Sequence, residues 1–217
     1  MQLLTRAAKG SELTWAEGDA NTTETERRTG AGWEDIVQEV IIQYGAPTAP
    51  TLKNWRGNFN GYAFSPDTMN ECFINFHIRH NYDDAGGATP GMVYPHVHFT
   101  VNTTNTGTIR WGIEWQCARR ADAAGAGPYT DSITQYIDYI IDGAGKKYWH
   151  IVAESPDGFG IPQASILQVD SMIKCRVFRD ASDLVHDTFP DDAFLDTVDV
   201  HNPVDVSATP NRQFPFG

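Results

Sequence analysis

The sequence predicts an all-β fold, an antiparallel jelly-roll-like sandwich of about eight strands, with an N-terminal extended arm and one short amphipathic helix. Two observations predict the sandwich. From Trp55 onward, apolar and polar residues alternate in short runs, which is the period of half-buried strands. Loops rich in Gly, Pro, Asp and Asn separate these runs without intervening helices, which favours antiparallel sheets.

Residues 1–31 differ in composition from the rest of the chain and predict an arm. The segment has few large apolar residues and ends in a Thr-, Glu- and Arg-rich stretch followed by glycines. Thr14 and Glu17 have the spacing of a capping box, which indicates a local turn. Leu13, Trp15 and two other leucines are too few to form a core. We therefore expect the arm either to stay mobile or to become ordered against another surface.

Residues 32–50 predict a helix and a connector. The helix, expected over 33–43, has acidic residues in its first turn, where the helix dipole favours negative charge. Gly45 and Pro47 mark its end, and the Pro-rich segment 45–50 forms a rigid link. The apolar residues that repeat with the helical period are Trp33, Ile36, Val37, Val40, Ile41 and Tyr44.

Residues 51–217 predict the β-domain. Residues 133–141 and 146–154 flank an Asp-Gly-Ala-Gly segment and predict a β-hairpin, and further strands are expected over 171–179 and 193–201. Alternation also predicts strands around 72–78 and 93–101. The clearest buried face belongs to Ile109, Trp111, Ile113, Trp115 and Cys117.

Composition and charge exclude several classes of partner. The 217-residue chain has 28 acidic and 16 basic residues, a net charge of −12, so we expect no nucleic-acid ligand. No run approaches the ~18 apolar residues of a membrane span, so no membrane insertion is expected. Cys72, Cys117 and Cys175 lie far apart on predicted core faces, which favours buried free thiols in a protein made in a reducing cytoplasm.

The most conspicuous polar group is the His-Val-His pair formed by His96 and His98. Such a pair places two imidazoles on one side of a strand, and with Glu114 it resembles the first metal motif of cupins. However, the alternation places Val97 and Phe99 on the core side of the strand, so both histidines should face solvent or another subunit. Ordinary surface or interface histidines are favoured over a transition metal shared between subunits or a catalytic metal, and we expect no other cofactor.

Other catalytic signatures are missing from the sequence. It contains no Gly-x-Ser-x-Gly, His-Glu-x-x-His, phosphate-loop or Cys-x-x-Cys motif, so we expect no enzyme. The acidic residues over 180–192 match no calcium loop and predict a solvated acidic loop.

The arm carries the most specific motif. Residues 9–21 read Lys-Gly-Ser-Glu-Leu-Thr-Trp-Ala-Glu-Gly-Asp-Ala-Asn, which resembles the amino-terminal Lys-Gly-Ser-x-Leu-Thr-x-x-Glu-x-Asp-x-Asn motif of bacteriophage tail-fibre and virion-appendage proteins. Those proteins commonly have an apolar residue at the position of Gly18 and an aromatic residue at the position of Thr22, so this chain departs from them at both positions. Less closely, segments around 76–82, 94–99 and 199–212 resemble small phage structural proteins. The resemblance implies virion anchoring through Leu13, Thr14, Trp15, Glu17, Asp19 and Asn21.

The resemblance implies a virion component with other phage proteins of the tail, neck or capsid as partners. We expect a homotrimeric short tail-fibre or spike subunit, or a head or collar decoration, with a host-surface glycan or protein as a further partner. Two alternatives remain open: an enzyme, either a cupin-like metal enzyme using His96 and His98 or a glycan depolymerase, and a carbohydrate-binding module, since jelly rolls include both cupins and lectins.

Overall fold

A computed structural model describes ten β-strands and no helix in the chain segments that follow. The described residues are 32–42, 47–79, 82, 92–119, 128–143, 146–156, 159–162 and 170–204. The first five strands are β1 (Gly32–Val37), β2 (Thr51–Arg56), β3 (Phe59–Phe64), β4 (Glu71–His77) and β5 (Tyr94–Thr100). The other five are β6 (Gly107–Ala118), β7 (Ile133–Ile141), β8 (Ile151–Glu154), β9 (Met172–Arg179) and β10 (Ala193–Val204).

The strands form two antiparallel sheets with jelly-roll topology. Strands β3, β10, β5 and β8 lie side by side in one sheet, and β4, β9, β6 and β7 lie side by side in the other. From β3 to β10 the chain therefore crosses between the sheets at every connection except β6–β7, as eight jelly-roll strands do. The predicted all-β sandwich is confirmed. Strand β2 extends the first sheet beyond β3, and β1 pairs with β10, which makes this sheet six-stranded.

The core lies between the two sheets, and the predicted alternation of β6 is confirmed. Trp111 is buried between the sheets, with ring contacts to Phe64 of β3 and Phe99 of β5 at centroid distances of 5.2 and 5.5 Å. The three cysteines are buried free thiols, as predicted. Burial raises the pKa of Cys72 and of Cys117 to about 12, so neither thiol is a nucleophile at neutral pH.

The helix predicted over 33–43 is wrong. Residues 32–37 form strand β1, in which Ile36 is fully buried while its neighbour Val37 is 53% exposed, so the burial alternates with period two. Strand β3 pairs only with the first residues of the long strand β10. Strand β1 pairs with the later part of β10, from Asp199 to Val204. This long-range pairing overrides a local pattern that also fits a helix.

The predicted hairpin of 133–141 with 146–154 is also wrong, although both strands exist. Strand β7 pairs with β6 in the four-stranded sheet, whereas β8 pairs with β5 in the six-stranded sheet. The segment between them therefore connects the two sheets instead of closing a two-stranded turn. Strands expected over 171–179 and 193–201 appear as β9 and β10.

Candidate metal centre

The central strands of the six-stranded sheet bring together two similar patterns, His96-Val97-His98 on β5 and Asp199-Val200-His201 on β10. The two strands are antiparallel neighbours, and His96 pairs directly with Asp199. Valines in both patterns face the core, so the polar side chains project from the outer face of the sheet. This confirms that the histidines point away from the core, unlike the inward ligands that the cupin resemblance implies.

Asp199 connects the two histidines of β5. Its Oδ1 lies 2.5 Å from Nε2 of His96 and 2.9 Å from Nε2 of His98. The other ring nitrogen of His98, Nδ1, lies 2.6 Å from Nε2 of His150, which comes just before β8.

His201 connects two further strands to this group. Its Nδ1 lies 2.8 Å from Oε1 of Glu154 on β8, and its Nε2 lies 2.9 Å from Oδ1 of Asp35 on β1. The rings of His201 and His96 are 4.2 Å apart between centroids. Four strands thus contribute to one group, here called the histidine cluster, which consists of Asp35, His96, His98, His150, Glu154, Asp199 and His201.

Burial within the chain changes the expectation for His96. His96 is 1% exposed and Asp199 is 3% exposed, although both lie on the outer face of the sheet. The prediction that His96 faces solvent or a neighbouring subunit is therefore wrong, whereas His98 keeps partial access with 15% of its side chain exposed. Nδ1 of His96 is buried and has no hydrogen-bond partner in the described part of the chain.

The cluster holds opposite charges at neutral pH. Burial alone would raise the pKa of Asp199, but hydrogen bonds from His96 and His98 outweigh burial and lower it to about 2. Burial alone would lower the pKa of His201, but hydrogen bonds to Asp35 and Glu154 outweigh it and raise the pKa to about 9. A β-bulge between Leu195 and Thr197 interrupts β10 beside the cluster.

Two three-residue groups within the cluster have the composition of a metal site. Asp35, His96 and His201 form one, and His96, His98 and Asp199 form the other, with ligand atoms in each group all within 4.8 Å of one another. Two imidazoles and a carboxylate are a donor set for zinc and other first-row transition ions. The cluster can therefore hold an ion with ligands from one chain.

The other sequence-predicted site residues lie elsewhere. Glu114, considered as a carboxylate ligand, is on the four-stranded sheet, with Oε2 3.1 Å from Nη1 of Arg176. The expectation that Glu114 supplies a carboxylate ligand is wrong, because Glu114 and the histidine cluster lie on different sheets. The anchoring residues Leu13, Thr14, Trp15, Glu17, Asp19 and Asn21 lie outside the described residues.

Sequence reasoning found His96 and His98 and missed the other five residues of the cluster. Asp199 and His201 repeat the alternating pattern of the His-Val-His pair on the last strand, and that repetition was the available signal. Asp35 was assigned to a helix, and no local pattern marks Glu154 or His150 as cluster members.

A concave surface, separate from the histidine cluster, lies on the outer face of the four-stranded sheet. Here a groove of about 290 Å³ runs over β4, β9 and β6. Nearby, the ammonium of Lys174 lies 4.6 Å from the ring centroid of Tyr129, which is 38% exposed. The groove is lined by Phe73, Asn75, Glu114, Gln116, Ser132, Lys174, Cys175 and Arg176.

Comparison with known proteins gives little beyond this geometry. No family profile matches the chain, and no curated protein matches its sequence. Among solved structures, the chain is similar to a carbohydrate-binding module specific for non-crystalline cellulose. The two are 12% identical over 80% of this chain and 86% of the other, with a TM-score of 0.27. Within the described residues, no helix is long and apolar enough to cross a membrane.

Proposed function

We propose that this chain is a non-enzymatic structural protein of a bacteriophage virion, either a short tail-fibre or spike subunit or a head or collar decoration. Its arm anchors it to the particle and its jelly roll is displayed outward. The observation that carries the proposal is the motif over residues 9–21, in which eight fixed positions stand in the register of phage appendage proteins.

The fold supports this division into arm and displayed domain. The sandwich has its own core, and the chain enters it at Gly32, which pairs with Val204 at the end of β10. The first described residues after the arm thus belong to a strand of the six-stranded sheet. Jelly rolls are frequent in viral coat proteins, which supports the proposal by analogy of fold alone.

Exposed apolar side chains at the sheet edges support association with other subunits. Ile140 on edge strand β7 is 70% exposed, and Phe59 beside edge strand β2 is 72% exposed. Open strand edges with apolar side chains are normally covered in native assemblies. A homotrimer would cover such edges and would also present three arms to the particle, which multiplies their effective concentration.

The arm is tested by two substitutions in the full chain, Leu13→Asp with Trp15→Ala. These changes remove the large apolar side chains of the motif, so we expect incorporation into particles to fall by about 10-fold or more. A 10-fold fall corresponds to a loss of about 1.4 kcal/mol in the free energy with which the arm binds the particle. Incorporation is measured by quantitative mass spectrometry of purified virions after complementation of a gene-deleted phage.

The control is Leu184→Asp with Val185→Ala, which introduces the same two residue types at exposed apolar positions of the displayed domain. Leu184 and Val185 are 77% and 80% exposed in the loop before β10, so this variant should be incorporated normally. Normal incorporation of the arm variant would refute anchoring through the motif. Failure of the unmodified chain to join any particle would refute the proposed function.

A second candidate function, glycan binding, is favoured by the groove on the four-stranded sheet. Asn75 and Gln116 offer amide groups beside Phe73, a combination that suits sugar hydroxyls and an apolar sugar face. If the displayed domain binds a host-surface glycan, Asn75→Ala with Gln116→Ala should weaken binding about 5–30-fold. This corresponds to the loss of one or two hydrogen bonds of about 1 kcal/mol each.

The measurement is glycan-array screening of the full chain, followed by calorimetric titration with the strongest ligand. Thr51→Ala, an exposed change on the other sheet, is the control and should leave the affinity unchanged. An array without any binding glycan would refute this second function while leaving the virion proposal standing.

A further inference from the structure

Hydrogen bonds in the histidine cluster assign a different role to each ring nitrogen. Oε1 of Glu154 lies 2.8 Å from Nδ1 of His201, and Oδ1 of Asp199 lies 2.5 Å from Nε2 of His96. Histidines that bind a metal characteristically use one nitrogen for the ion and the other for a carboxylate that fixes the ring. Both histidines have such a carboxylate, so the remaining nitrogen of each is the one available to an ion.

Of the two remaining nitrogens, one faces Asp35 and the other has no partner among the described residues. Nε2 of His201 lies 2.9 Å from Oδ1 of Asp35. Nδ1 of His96 is buried without a partner among the described residues, and a buried polar atom left unpaired costs about 1–3 kcal/mol. An ion held by His96 would satisfy this atom.

We propose that Asp35, His96 and His201 form a binding site for one divalent transition-metal ion, such as Zn²⁺, within a single chain. Each of the three residues offers one ligand atom, and these atoms lie within 4.8 Å of one another. Ligands about 2 Å from a common zinc ion lie roughly 3–4 Å apart, so small side-chain movements suffice. The side chain of Asp35 is 52% exposed, which gives the ion an entry route and leaves room for a water ligand.

The competing group of His96, His98 and Asp199 fits an ion less well. Asp199 Oδ1 already faces Nε2 of both histidines, so an ion there would displace two contacts of the most buried carboxylate in the cluster. It would also leave Nδ1 of His96 unpaired as before. We therefore assign Asp199 a positioning role beside the ion rather than a ligand role.

The proposed ligand set has a structural consequence, because its members come from three strands. Asp35 lies on β1, His96 on β5 and His201 on β10. Asp35 and His201 are direct cross-strand partners, so the ion would join β1, the strand next to the arm, to the centre of the sheet. This inference does not depend on the virion proposal.

The experiment uses the full chain, freed of metal with a chelator and titrated with Zn²⁺ and with Co²⁺. We expect one ion per chain by calorimetry and elemental analysis, and visible absorption typical of low-coordinate Co²⁺. We also expect the β1 amides of residues 32–37 to exchange more slowly with deuterium when Zn²⁺ is bound.

Variants separate the ligands from their neighbours. Asp35→Asn changes an exposed side chain conservatively, so it should fold, yet it should lose stoichiometric binding and the added protection of β1. Glu154→Gln should weaken binding by about 10–100-fold, the usual effect of removing a carboxylate behind a ligating histidine. His98→Gln should retain one ion per chain. His186→Gln, which changes an exposed histidine paired with Asp183, is the matched surface control and should also retain it.

Three results would overturn the proposal. Absence of stoichiometric Zn²⁺ and Co²⁺ binding to the full chain would refute the site. Binding that survives Asp35→Asn but is lost in His98→Gln would show that the ligand set is the competing one. Binding only when chains associate, with less than one ion per chain, would place the ion between subunits.

Discussion

Asp187→Ala is expected to destabilise the domain by about 3–5 kcal/mol, because it leaves a buried arginine without its counter-charge. The side chain of Arg179 is fully buried at one end of the sandwich, and Asp187 receives two hydrogen bonds from it, at 2.9 and 2.7 Å. The other guanidinium bonds go to the carbonyl oxygens of Phe64, Phe189 and Asp191. The free energy of unfolding in urea measures the effect.

An exposed ion pair provides the control for this prediction. Lys53 and Asp192 lie 2.7 Å apart at the surface, so Lys53→Ala should change the free energy of unfolding by less than about 1 kcal/mol. The double variant Arg179→Met with Asp187→Leu should lower the free energy of unfolding by less than the two single substitutions added together, because it removes both buried charges at once. A loss below about 1 kcal/mol in Asp187→Ala would contradict the role assigned to this pair.

The buried pair also shows where reasoning from the sequence failed on the acidic loop. Five aspartates between residues 180 and 192 predicted a solvated loop, but Asp187 is 6% exposed. The partner that buries it, Arg179, is eight residues away and belongs to a strand whose inward face is otherwise apolar. Sequence spacing does not reveal which acidic residue of a loop meets a buried cation.

The fold class followed from alternation because that signal is local. The period-two pattern of β6 directly predicts the buried face that the structure shows, and the sandwich follows from many such runs. Strands β2 and β3 were not predicted, although the Gly57-Asn58 dipeptide between them is a hairpin signal. Gly57 has a φ of 58°, the left-handed conformation that such a turn favours.

The candidate site could be predicted only in part, because its members are close in space and distant in sequence. His96 and His98 were predicted from a local motif on one strand. Asp35 and Glu154 join them only through the order of strands in the sheet, with β1 on one side of β10 and β8 beyond β5. Jelly-roll topology separates sheet neighbours by long stretches of chain, so no spacing rule identifies these partners.

Trp111 supports the candidate site from the opposite side of the sheet. Its ring contacts Phe99, which follows His98 on β5, and it also contacts Phe64 on β3. Trp111 is fully buried, so its side chain fills the space between the two sheets directly beneath the strand that carries the His-Val-His pair. Loss of this ring would leave a large cavity under β5.

Trp111→Ala is therefore expected to destabilise the domain by about 3–5 kcal/mol, the usual cost of deleting a buried tryptophan side chain. Trp111→Phe should cost less than Trp111→Ala, because it leaves a smaller cavity. It keeps an aromatic ring and removes an indole N–H that has no hydrogen-bond partner among the described residues, which offsets part of the lost packing. Urea unfolding of both variants measures this difference, and equal losses would contradict the stabilising role assigned to an aromatic ring at this position.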